Sequence, residues 1–219
     1  MTIATPTRAQ RAHEFRAPLD GARSGRLVFD AGTPELALSG DPSWTDLLWA
    51  RFTRIHPDIH TSTGEVVVRY PHVVPLVGWI RHSIHAPKGR VGLSVAVPWT
   101  LEFRRGATRL EADLRDVDVR SVTIESGVGH AVLRLGRPRG TVTVSMTGGV
   151  SHLEVHRPSN APIRLTVDGS IGSMTLDDES LGAVGGRLRR ESDAWALAAH
   201  RLDVSVRGGI GHLLVADLS

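Results

Sequence analysis

The chain has no cysteine, a single lysine (Lys88), and only 5% aromatic residues among its 219 positions. Without cysteine, a disulfide framework and a thiolate metal site are both excluded, while the redox compartment stays open. With so few aromatics, the 41% hydrophobic content has to build its core from stacked Val, Leu and Ile. No stretch approaches the roughly 18 apolar residues of a membrane span, and Met1–Asp20 lacks the apolar core of a secretion signal, so the expected location is the cytoplasm. A basic stripe is missing too. The 26 basic and 23 acidic residues leave a net charge of +3 and alternate in sign along the chain, which argues against a nucleic-acid partner.

What the chain does have is a phrase repeated. SVTIESGVGHAVLRL (121–135), TVTVSMTGGVSHLEV (141–155), IRLTVDGSIGSMTL (163–176) and RLDVSVRGGIGHLLV (201–215) share one form, and TLEFRRGATRLEADL (100–114) is a looser copy. Each has a run of alternating apolar residues, a small-residue turn holding one aliphatic, and a second alternating run. A side-chain period of two means strands. With Gly106, Gly127, Gly149, Ser170 and Gly209 aligned, the spacings are 21, 22, 21 and 39, the last close to two periods with an irregular unit inside. Such a period belongs to a solenoid whose units bury their apolar faces only by stacking. The alternative is an antiparallel β-sandwich of hairpins, since Gly148-Gly149 and Gly208-Gly209 suit tight two-residue loops. Against it, an aliphatic follows each turn (Ala107, Val128, Val150, Ile171, Ile210), as a corner around a continuous core requires. The expected fold is therefore all-β, a single-domain β-solenoid of about 21-residue coils over residues 23–219.

Around the repeat, residues 1–22 are polar and Ala/Arg-rich and read as a disordered tail. Arg26–Phe29 and Leu36–Leu38 read as a degenerate first strand pair, of the kind a solenoid needs at its end. In the insertion 41–56, Asp41 with Pro42 forms a helix-start signal, and Trp44, Leu47, Leu48, Arg51, Phe52 and Ile55 recur at helical spacing, which predicts one amphipathic helix near the N-terminus. Val66–Tyr70 is a strand. A long loop at 70–90 then combines Val73, Val74, Leu76, Val77, Trp79, Ile80 and Arg81 with His82, His85, Lys88 and Arg90, a mixture suited to a protein partner or an anionic membrane surface. Between the last copies, Gly186–Arg190 reads as a strand, and the consecutive acids Asp177, Asp178 and Glu179 lack calcium-loop spacing and read as a solvated turn.

Alignment of the turns puts Arg109, His130, His152, Ser173 and His212 at one position of the coil. Two residues on come Glu111, Val132, Glu154, Thr175 and Leu214, and two further Asp113, Arg134, His156 and Asp177. Coils stack about 4.8 Å apart, so His130 and His152 should be ring neighbours. His130, His152, Glu154 and His156 are candidate zinc or nickel ligands, weighed against an exposed polar ladder, which is far commoner. No metal or other cofactor is expected. His56 with His60, and His82 with His85, are weaker pairs of the same kind. No serine elbow and no cysteine nucleophile is present, and the acid-bearing ladder reads as charge-paired surface rather than a carbohydrate-cleaving site, so no enzyme is expected.

The turns SGVGHAV, GGVSHLE, GSIGSMT and GGIGHLL resemble those of bacterial toast-rack or putative-adhesin β-solenoid domains, including C-terminal domains of some cell-envelope stress proteins. The likeness is good over 100–219 and poor over 26–97. It implies a scaffold or interaction domain, and carries no catalytic residue. The final strand, with Leu213, Leu214 and Val215, has no evident cap, which predicts a homo-oligomer joined through the C-terminal coil, or another protein partner. A peripheral membrane or cell-envelope stress-associated protein is the alternative.

Overall fold

Alternating side chains turn one face of each strand inward, and a small residue at each corner lets the chain reverse wings without opening a gap. The computed structural model describes residues 8–11, 14–30, 32–53, 56–70 and 88–218. Its early strands are β1 (Arg8–Arg11), β2 (Glu14–Ala17), β3 (Gly25–Phe29), β4 (Thr33–Gly40), β5 (Leu48–Phe52), β6 (Asp58–Ser62), β7 (Glu65–Arg69) and β8 (Lys88–Leu93). The repeat supplies β9 (Trp99–Phe103), β10 (Ala107–Leu114), β11 (Val119–Ile124), β12 (Val128–Leu135), β13 (Thr141–Thr147), β14 (Val150–Arg157), β15 (Ile163–Leu176), β16 (Glu179–Glu191) and β17 (Arg201–Asp217). All belong to one hydrogen-bonded sheet, and no described residue is helical.

The sheet has two wings. One runs β7–β3–β9–β11–β13–β17–β15 and the other β8–β4–β10–β12–β14–β17–β15, parallel at every step. Strands β15 and β17 pass through the corner unbroken and serve both wings. The architecture is thus all-β and solenoid-like, and the parallel ladders exclude a sandwich of hairpins for the repeat. Apolar residues of both wings form one buried cluster.

At the corner, Val128 pairs with Val150, Val150 with Ile210 and Ile210 with Ile171, all nearly inaccessible to solvent. The corners need glycine for a backbone reason: Gly148 and Gly208 have φ of 121° and 126°. A Cβ on Gly208 would also stand 2.5 Å from the Gly148 carbonyl oxygen of the neighbouring coil.

Four expectations are corrected. The described residues of 41–56 form no helix. Asp41–Leu47 forms turns and bends, and Leu48–Phe52 is β5, antiparallel to β2 and β8. Trp44, Leu48 and Phe52 fit a helical stripe, but Leu48, Ala50 and Phe52 equally fit period two, and pairing with strands on both sides decides for the strand. The stretch read as a tail contains β1 and β2, which pair with β6 and β5. The last coil is not terminal, because β17 lies between β13/β14 and β15. The 39-residue gap accordingly holds no extra coil, only β16, which turns back antiparallel on β15 over a longer span than the expected Gly186–Arg190, and the connection to β17.

Arg157 holds this insertion in place. Its guanidinium, nearly buried, donates to both carboxylate oxygens of Asp177 at 2.8 and 2.7 Å and to Asp217 at 3.0 Å. The acidic turn is thus anchored at Asp177 while Asp178 and Glu179 face solvent. The expected strand pair at 26–38 is present as β3 and β4, and 66–70 as β7.

Candidate functional site

The histidine position lies on the outward face of β12, β14 and β17, one residue past the small residue of each corner. Parallel register sets His130 beside His152, as the repeat predicts, and His152 beside His212, which the order of the copies hides. Ring centroids are 5.7 and 5.6 Å apart, tilted by 33° and 44°. Beyond His212 the ladder ends at Ser173. Glu154 lies within 3.8 Å of His130 and hydrogen-bonds His156 Nε2 at 3.1 Å. The four proposed ligands are thus brought near one another, yet among the described residues no three of His, Asp and Glu are grouped so as to hold a metal ion.

Beside the histidines, the corners of three coils make a shallow depression of about 670 Å³ floored by glycines such as Gly127, Gly149 and Gly209, with His152 and His212 on its rim. Ser151 also lines it, so the depression offers a hydroxyl and imidazole nitrogens. The expected row Asp113–Arg134–His156 is present, but Ala216 follows His156, so Asp177 is not part of it. Likewise Val132 separates Glu111 from Glu154. No pair of acids faces across a cleft there, as hydrolysis of a glycosidic bond would require.

Of the residues named as interaction candidates, Leu213 and Val215 are fully buried and Leu214 is half-buried, because β15 covers the strand. They therefore form no open edge of the sheet. Val73, Val74, Leu76, Val77, Trp79, Ile80 and Arg81, with His82 and His85, lie outside the described residues. His60 lies in β6, away from the histidine ladder.

A long free edge falls on β16 instead. Among the described residues it pairs only with β15, and its residues are exposed except for Leu181, Val184 and Leu188, which pack part-buried on the core. Its first residue, Glu179, follows Asp177 and Asp178, while Arg187, Arg189 and Arg190 crowd its far end. Sequence reading missed this surface because Gly182, Gly185 and Gly186 break the alternation that would have marked the strand.

The profile of a family described as the N-terminal domain of toast_rack, DUF2154, matches residues 6–156. A search among curated proteins finds no match. Among solved structures, a putative cell adhesion protein from Clostridium sporogenes ATCC 15579 superposes with a TM-score of 0.74 at 15% identity, covering 97% of this chain and 100% of that one. A putative adhesin from Bacteroides fragilis NCTC 9343 gives a TM-score of 0.27 at 8% identity, over 98% of each chain. At such identities the first of these establishes a shared fold and nothing about ligands.

Proposed function

Since this chain belongs to the family of toast-rack N-terminal domains, we propose that it is a non-enzymatic interaction scaffold that associates with a second copy of itself through β16. The observation that carries this reading is the one-sided pairing of β16: a thirteen-residue strand whose outer backbone groups have no partner strand among the described residues. Such an edge is a template for another strand, and charged residues normally guard against indiscriminate pairing. Here acids 177–179 gather at one end and Arg187, Arg189 and Arg190 near the other, where Glu191 closes the strand and pairs with Arg189. Two copies meeting antiparallel about a two-fold axis near Val184 bring Glu179 of each toward Arg189 of the other, and Asp178 toward Arg190. The same residues oppose a parallel approach, so they select one geometry.

Light scattering on the intact protein tests it. A dimer is expected, together with monomers for Glu179→Arg/Asp178→Arg and for Arg189→Glu/Arg190→Glu, and a restored heterodimer when the two variants are mixed. A strictly monomeric parent at high concentration removes the self-pairing and leaves a different protein as the partner. The absence of catalysis is supported by the family and by the flat, side-by-side arrangement of the polar ladders.

A further inference from the structure

At the opposite end of the second wing from β16, the outer face of β2, β5 and β8 carries a cleft of about 450 Å³ lined by two tryptophans and four charged residues. Alternation in β5 sends Leu48, Ala50 and Phe52 inward and leaves Trp49 and Arg51 outward; β2 places Arg16 beside Trp49 and Glu14 beside Arg51. The second indole comes from the preceding turn. Asp41 accepts hydrogen bonds from the Ser43 amide at 2.8 Å and hydroxyl at 2.6 Å, and its carbonyl accepts from the Trp44 amide at 3.2 Å. These fix the turn so that Trp44 lies on Gly92, where even a Cβ would fall 1.2 Å from a ring atom. Any other residue at 92 would displace the ring. The two indoles stand 5.7 Å apart at 50°.

The electrostatics restrict what fits. Glu14 accepts a hydrogen bond from Trp49 Nε1 at 2.9 Å, and this bond, with Arg16 and Arg51 nearby, holds its carboxyl below the ordinary glutamate range. Arg16 lies 3.7 Å from both Glu14 and Asp46. Two carboxylates and two guanidiniums leave the cleft with no net charge. A cation attracted to the indole faces would meet Arg16 and Arg51, and an anion would meet Glu14 and Asp46. A neutral ring with an apolar C–H face and an equatorial rim of hydroxyls has neither problem: the face lies on an indole, and adjacent hydroxyls match the paired oxygens of Asp46 and the forked donors of Arg51. The volume is within the usual range of about 300–1,000 Å³ for small-molecule sites.

We propose that the Trp44–Trp49 cleft is a binding site for a neutral saccharide, engaged through a pyranose ring stacked on indole. The site does not depend on β16 pairing, since the two lie at opposite ends of the stack.

The test is a glycan array probed with the full chain, followed by calorimetric titration with a neutral oligosaccharide that it retains, and with choline as the cationic control. The expected result is saturable binding weakened at least tenfold in Trp44→Ala and severalfold in Arg51→Ala, partly retained in Trp44→Phe, and unchanged in Glu179→Arg. Because Arg51 is exposed, its replacement leaves folding intact and keeps the question answerable if Trp44→Ala does not fold. The proposal is overturned if no neutral glycan is retained, if binding survives both Trp44→Ala and Arg51→Ala undiminished, or if choline binds and competes.

Discussion

Nine of the ten aromatic residues fall in the first 103 positions, and only Trp195 in the rest, so the two halves of the stack solve one packing problem with different materials. In the second half equivalent aliphatics sit over one another, Val128 to Val150 to Ile210 to Ile171. In the first, large rings take over part of the stack and the spaces beside it. Phe29 stacks on Phe103 from the adjacent coil at 5.7 Å and 8°, Phe52 meets Tyr70 edge-on at 6.1 Å, and buried Trp99 donates to the Ser94 carbonyl at 2.8 Å. Phe29 and Phe103 hold one register position in adjacent coils, so there a larger side chain continues the stack.

The strongest way to break this comparison is to put a charge inside the aliphatic stack. Val150→Asp buries a carboxylate between Val128 and Ile210 with no partner, a loss on the order of several kcal/mol and enough to unfold a domain of ordinary stability. Thermal denaturation followed by circular dichroism should show no cooperative transition. An unchanged melting temperature would mean that these positions do not stack.

The same contrast explains what could be read in advance. The coils from Trp99 onward announced themselves through the recurring turn, and with them the stacking of His130 on His152. The order of the coils did not, because identical apolar faces accept one another in any sequence; what places β17 inside is the strand pairing, secured by Arg157 gripping both Asp177 and Asp217. Hence His212 was not seen as a neighbour of His152, nor β16 as the edge. In the aromatic half the short β5 carries a pattern common to helix and strand, and Trp44 reads as part of a stripe until Gly92 is found beneath it.

Charge sharpens the comparison less violently. In the aromatic half Arg26 bridges Glu65 and Glu102 across three adjacent strands, with Arg104 also on Glu102 at 3.1 Å. Burial raises the Glu102 carboxyl, but the hydrogen bonds and charges of Arg26 and Arg104 outweigh it and hold the group below the ordinary glutamate value. A lowered folded value means stability fully present above the unfolded value and lost as pH falls through the folded one. Chemical denaturation between pH 7 and pH 3 should therefore show a loss beginning below about pH 4 that is smaller in Glu102→Gln. Equal loss in both proteins would separate this ladder from acid sensitivity.

The smallest effect is expected in the aliphatic half, on its outer surface. His152 is exposed between His130 and His212, and its removal should change stability by no more than about 0.5 kcal/mol. Zinc wants ligand nitrogens about 2.0–2.1 Å from one centre, hence converging, whereas strand register spaces equivalent ring atoms by about 4.8 Å. The observed centroid distances of 5.7 and 5.6 Å keep the rings side by side. Convergence would require them to rotate out of the ladder and would give up the bond between Glu154 and His156. Elemental analysis of purified protein should accordingly find no stoichiometric zinc or nickel, in the parent or in His152→Ala. One metal per chain in the parent, lost in the variant, would show that the rings do turn, and would make the outer face of the regular half a functional site of its own.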